Sequence, residues 1–96
     1  MLTFEWDKRK EAANIRKHGV SFHEASTLFL DPLSMTFFDP DHAEGEDRYI
    51  TLGMATTRRI LFVSHADRGE RIRIISAREA SKLERKGYEE NNPKNG

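Results

Sequence analysis

The 96-residue chain has no cysteine. Disulfides, thiolate nucleophiles and cysteine-based metal sites are therefore excluded. A cysteine-free chain suits a reducing compartment, and a cytoplasmic location is expected. Nothing approaches the roughly 20 consecutive apolar residues a membrane helix needs. The opening stretch Met1-Leu2-Thr3-Phe4-Glu5-Trp6-Asp7 lacks the apolar run of a signal peptide. There is no internal repeat, no low-complexity linker, no glycine-rich phosphate loop and no nucleophile elbow. Net charge is also absent, with 16 Lys/Arg against 16 Asp/Glu.

That neutrality hides segregation. Residues 1–20 carry five Lys/Arg and three Asp/Glu, whereas residues 21–47 carry seven Asp/Glu and no Lys or Arg. Residues 48–86 reverse the sign, with ten Lys/Arg against four Asp/Glu. An acidic middle and a basic C-terminal half fit partners of opposite charge, or simply a solvated mixed surface. At 36% hydrophobic residues the core is modest, and one domain over residues 1–90 is expected. Residues 91–96, Asn-Asn-Pro-Lys-Asn-Gly, offer nothing apolar to bury and are expected to fray.

Periodicity predicts an α+β fold. Leu2, Phe4 and Trp6 alternate as one face of a short strand, and Asp7 is a natural N-cap for a helix from Lys8 to His18. Its expected inner stripe is Ala12 and Ile15, with Ala13 and Arg16 beside them, and Gly19 ends it. Ser21 and Glu24 form a capping box for a second helix, which Asp31-Pro32 stops. Four antiparallel strands follow, over residues 33–39, 48–54, 60–65 and 71–76. A last helix is predicted from Ala77 to about Tyr88, with Ser76 as N-cap and Glu79 closing its box.

On this reading Arg78 lies in a first helical turn, where a cation opposes the helix dipole at a cost of about 0.3–1 kcal/mol. Either it faces an anion at that terminus, or it pairs with Glu79 or an acid of the 39–47 loop. Arg48 opens a strand on the same face as Ile50 and Leu52. It lines a cleft at the sheet's end, or pairs with Glu46 or Asp7. His18, His23, His42 and His65 can titrate near neutrality, and His42 in the acidic loop is the best placed. Their spacing matches no zinc signature. A site built from His42, Asp39 and Glu46 is the lesser alternative, so neither metal nor cofactor is expected. Trp6 either stacks on a base or belongs to the core.

The joint order of several short motifs carries a resemblance. They are Phe4-Glu5-Trp6-Asp7, Asn14, Lys17-His18-Gly19-Val20-Ser21-Phe22, Glu24-Ala25, Phe29 and Asp31-Pro32. Asp39, His42, Glu46-Asp47-Arg48-Tyr49, Gly53, Arg68-Gly69 and Ile72 through Arg78 follow. From about residue 3 to residue 88 the chain resembles the BrnT toxins of bacterial type II toxin–antitoxin systems. It departs at Ala43, where the family pattern has serine after the loop histidine.

The resemblance implies a RelE-like fold: an N-terminal strand and two-helix hairpin on a four-stranded antiparallel sheet, then a C-terminal helix. It also implies a metal-independent endoribonuclease that inhibits translation. The implied partner is a BrnA-like ribbon-helix-helix antitoxin, which contacts operator DNA itself and binds the toxin in a two-plus-two heterotetramer. Arg48 and Arg78 are then the expected phosphate-holding residues. His42 or Glu46 would be the base and His18 the acid, with Trp6, Lys17, Arg73 and Lys82 touching RNA. The alternative is a non-catalytic module that only binds its regulator.

Overall fold

The structure is a computed structural model that describes residues 2–42 and 45–91, with His42 described by its backbone alone. The expected frayed tail therefore lies outside the described residues apart from Asn91, as does Ala43. Among the described residues three α-helices pack on one mixed five-stranded sheet. In chain order they are β1 (Thr3–Glu5), α1 (Lys8–His18), α2 (Phe22–Thr27), β2 (Met35–Phe38), β3 (Arg48–Met54), β4 (Ile60–Arg68), β5 (Arg71–Glu79) and α3 (Lys82–Asn91). The sheet order is β1-β5-β4-β3-β2.

Strands β2 to β5 form the expected antiparallel meander. The N-terminal strand does not stand apart from it. It joins as a fifth strand, parallel to β5, pairing Thr3, Phe4 and Glu5 with Arg71, Ile72 and Arg73. Helices α1 and α2 supply the crossover that a parallel pair requires.

One face of the sheet is dry. Leu61, Val63, Ile72, Ile74 and Ala77 pack there against Val20, Phe22, Ala25 and Leu28, all buried. Phe4 and Trp6 border this core, so Trp6 is partly a core residue. Leu2, expected beside them, is half-exposed.

Helix α1 departs from its expected stripe. Ala12, Ala13, Ile15 and Arg16 are exposed, and only Asn14 is buried. The helix lies where β1 ends and leaves the outer side of β5 without a strand neighbour. Asn14 takes that neighbour's place. Its amide nitrogen donates to the carbonyls of Ala77 (2.8 Å) and Val20 (2.9 Å), while its oxygen accepts from Ala77 N–H (3.1 Å). Glu11, one turn back, accepts from Phe22 N–H. Hydrogen bonds to backbone, rather than apolar burial, hold this helix in place.

The second correction lies at the C-terminal end. Strand β5 continues through Arg78 to Glu79, and α3 starts only at Lys82. The capping box is Ser81 with Glu84: Glu84 N–H donates to Ser81 Oγ (3.1 Å) and Ser81 N–H to Glu84 Oε1 (2.8 Å). Ser76 and Glu79 match the same sequence pattern three residues apart, but strand pairing to β4 overrides it. A β-bulge is the reason the pattern misleads. Ser64 pairs with Ser76 and His65 with Ile74, leaving Ile75 as the extra residue. The bulge resets the alternation, so that Ile74 and Ala77 both face the core while Arg73, Ser76 and Arg78 share the opposite face.

Candidate nucleic-acid interface and active site

Helix α3 covers only part of that opposite face, where its Tyr88 and the preceding Ala80 pack with Leu52, Ile60, Met35 and Phe62. Beyond it lies an open cleft of about 380 Å³, lined by Asp39, Arg48, Ile50, Phe62, Ser64, Ile75 and Ser76. Two more hollows reach the same bulge. One of about 240 Å³ is lined by Lys10, Ala13, Asn14, Lys17, His18, Ile75 and Ser76. The other, of about 320 Å³, holds Trp6, Asp7, Lys10, Glu5, Arg73, Ile74 and Ile75. All three meet at Ile75.

Arginines gather at one end of this region. The two-residue turn at Gly69-Glu70, with Gly69 at φ +65°, sets Arg68 directly opposite Arg71. Arg48 pairs with Ala66, and Ala66 with Arg73, so the same face carries all four cations. Glu46 sits among them. Its carboxylate accepts from Arg68 (3.0 Å) and lies 3.9 Å from Arg73 and 4.0 Å from Arg48. The Arg68 hydrogen bond, aided by the charges of Arg73, Arg68 and Arg48, holds Glu46 below the usual carboxylate range despite some desolvation. Glu5 lies 3.7 Å from both Arg68 and Arg71. Arg48 Nε is enclosed and has no hydrogen-bond partner among the described residues.

Arg78 has a different setting from the one expected. It stands on β5, not in a helix, and opposes no dipole. Its guanidinium grips Glu84 of α3 with two bonds of 2.8 and 2.9 Å and lies 4.0 Å over the Phe62 ring. The Glu84 carboxylate raises its pKa, outweighing desolvation. Its pairing partner Phe62 faces Leu52, four residues along β3 from Arg48. Arg48 and Arg78 thus share a face, but their backbones stand roughly 13 Å apart along the strands and two strand spacings across.

The other sequence candidates divide. Trp6, Lys17, His18 and Arg73 line the hollows around Ile75. Lys82 does not: it lies on the outer side of α3 with Leu83, Arg85 and Lys86. The side chain of His42 lies outside the described residues. Neither Arg68, named only within the Arg68-Gly69 motif, nor Arg71 nor Lys10 was expected in the site. The signal for the first two was the short Arg68-Gly69-Glu70-Arg71 hairpin, whose register puts both on the face of Arg73.

His65 is structural. It is 1% exposed, stacked near Tyr49 and edge-on to Phe29. Nδ1 lies 2.7 Å from Asp67 and Nε2 2.7 Å from Thr51 Oγ1, which in turn lies 2.9 Å from Thr36 Oγ1. The order resembles a nucleophile, base and acid, but Thr51 is wholly buried and cannot meet a substrate. Burial, outweighing Asp67, keeps the His65 pKa below its ordinary 6.5. The unfolded chain therefore binds the extra proton first. The stabilisation is complete above about pH 6.5 and fades as pH falls towards the folded value. Thermal melts between pH 8 and 5 should show the midpoint falling on acidification, with a flatter profile in His65→Gln. Equal slopes would refute this role.

Comparison with known proteins decides the family. Residues 6–84 match the family model described as the ribonuclease toxin BrnT of type II toxin–antitoxin systems. The chain belongs to the BrnT family. The crystal structure of the Brucella abortus ribonuclease toxin BrnT superimposes with a TM-score of 0.62 at 25% identity. The match covers 85% of this chain and all of that one. No curated protein sequence matches. In this BrnT-family chain the family match takes in all the residues of the hollows around Ile75 except Glu5, and all four arginines of the cluster. A type II toxin implies an antitoxin partner.

Proposed function

We propose that this chain is a metal-independent endoribonuclease of RelE-like descent, a single toxin domain over residues 1–90 that cleaves RNA in the cytoplasm and so inhibits translation. A BrnA-like ribbon-helix-helix antitoxin neutralises it in a two-plus-two assembly and carries the contacts to operator DNA. The observation that carries the catalytic reading is the Glu46 carboxylate held among Arg48, Arg68 and Arg73. It marks a preassembled anion site beside an indole-walled hollow.

In the reaction the ribose 2′-oxygen attacks the adjacent phosphorus and the bond to the 5′-oxygen breaks. A 2′,3′-cyclic phosphate and a 5′-hydroxyl remain. The 2′-OH proton passes to a base, and the leaving oxygen takes one from an acid. Glu46 is a poor base because three guanidinium groups hold it ionised. It is better suited to positioning the arginines, and the base role falls to His42. His18 on the rim of the second hollow is the acid. Arg48 and Arg73 hold the phosphate and stabilise its developing charge. Arg78 acts from the far end of the cleft, where it braces Phe62 and α3.

Purified chain incubated with RNA in EDTA should cleave it and leave cyclic phosphate ends. Intact RNA under these conditions would overturn the proposal in favour of a non-catalytic module.

Trp6 is the sole tryptophan, so its fluorescence reports one place. A short oligoribonucleotide should quench it, with affinity falling steeply from low to high salt because counterion release then gains less. Unchanged emission at saturating RNA would remove Trp6 from the binding surface.

A further inference from the structure

The sheet's outer strand, β2, is open. Asp39 N–H donates to the Arg48 carbonyl (2.8 Å), and Phe37 and Met35 lie opposite Ile50 and Leu52. Antiparallel pairing alternates, so Met35, Phe37 and Asp39 direct their backbone groups to β3, while Thr36 and Phe38 direct theirs outward. Among the described residues no strand lies beyond them. Phe37 and Phe38 point to opposite faces of the sheet and are 51% and 52% exposed. The strand Met-Thr-Phe-Phe is short, but it has no lysine, no proline and no bulge to guard the edge. Acidic residues flank it in the chain, Asp31 before it and Asp39, Asp41 and Asp47 after it, and residues 21–47 hold no Lys or Arg.

We propose that β2 is the docking edge for the antitoxin, which adds an extended, basic segment as a sixth strand. This rests on the toxin–antitoxin reading. Main-chain bonds to Thr36 and Phe38 would supply register, and alternate apolar side chains would cover Phe37 on one face and Phe38 on the other. The acidic segment selects a cationic strand and disfavours a second copy of this chain, because two such edges would bring like charges together. The edge lies one strand from Arg48, and Asp39 at its end lines the cleft, so a strand added there comes up beside the cleft.

The test uses the full chain and the antitoxin encoded in its own operon. Phe38→Pro removes an outward N–H while sparing every β2–β3 bond, a place where proline is tolerated. It should weaken antitoxin binding by roughly tenfold or more. Phe37→Lys should weaken it more than Phe37→Glu. Amide exchange at Thr36 and Phe38 should slow on complex formation. Wild-type affinity in Phe38→Pro, with unprotected amides, overturns the docking edge while the toxin–antitoxin reading stands. An antitoxin that fails to bind the wild-type chain overturns both. A free-chain dimer abolished by Phe38→Pro assigns the edge to self-association and overturns the proposal.

Discussion

Arg48→Ala should lower RNA cleavage by on the order of 10²–10³-fold, the usual loss when one charge-stabilising donor is removed. It should do so in a folded protein. Among the described residues the ion pair of Arg48 is a 4.0 Å contact with Glu46, and its Nε has no hydrogen bond. Such a pair contributes little to stability. Arg48→Lys should restore only part of the activity, because an ammonium cannot reproduce the planar fork. Single-turnover cleavage of labelled RNA, read beside circular dichroism, checks both halves. A wild-type rate in Arg48→Ala would remove the arginine cluster from the mechanism. Arg78→Ala is the less decisive variant. It breaks two bonds to the α3 cap residue and a stacking contact, so lost activity there needs an unchanged melting temperature before it speaks to chemistry.

Asn14→Leu should unfold the protein at growth temperature. The change keeps bulk and raises helix propensity but strips partners from three buried backbone groups, the carbonyls of Val20 and Ala77 and the Ala77 N–H. Each costs about 1–3 kcal/mol when left unsatisfied. Together they rival the roughly 5–15 kcal/mol that holds a domain folded. Urea titration gives the measurement, and a midpoint within error of wild type would show that water replaces the side chain. Asn14→Asp separates shape from hydrogen bonding, since it keeps the acceptor for Ala77 N–H and loses both donors.

Much of this architecture was readable from periodicity. The Asp7 cap of α1, the Ser21 cap and the β3 limits all depend on local rules, and local rules were obeyed. The failures share one cause. Ser76–Glu79 and Ser81–Glu84 have the same capping pattern, and nothing local separates them. Pairing of β5 with β4 through Glu79 does. Likewise Ala12 and Ile15 were the apolar residues available to α1, yet the unpaired edge of β5 required an amide, and Asn14 is turned inward instead. Asn14 stood out among the family motifs, but its partner is 63 residues away.

The candidate site shows the same division. Residue types were legible: arginines after an acidic loop, a tryptophan at a strand–helix joint, a Lys-His-Gly helix end. Their grouping was not. By itself the sequence determined an α+β chain of segregated charge, the chemistry of its side chains and where most elements begin, because those depend on neighbours a few residues apart. Tertiary structure alone decided that a bulge at Ile75 turns Arg73 and Ser76 towards Arg48. It also decided that Glu84 takes Arg78. Strand register and bulges are settled by backbone hydrogen bonds between segments distant along the chain, and no local pattern encodes them.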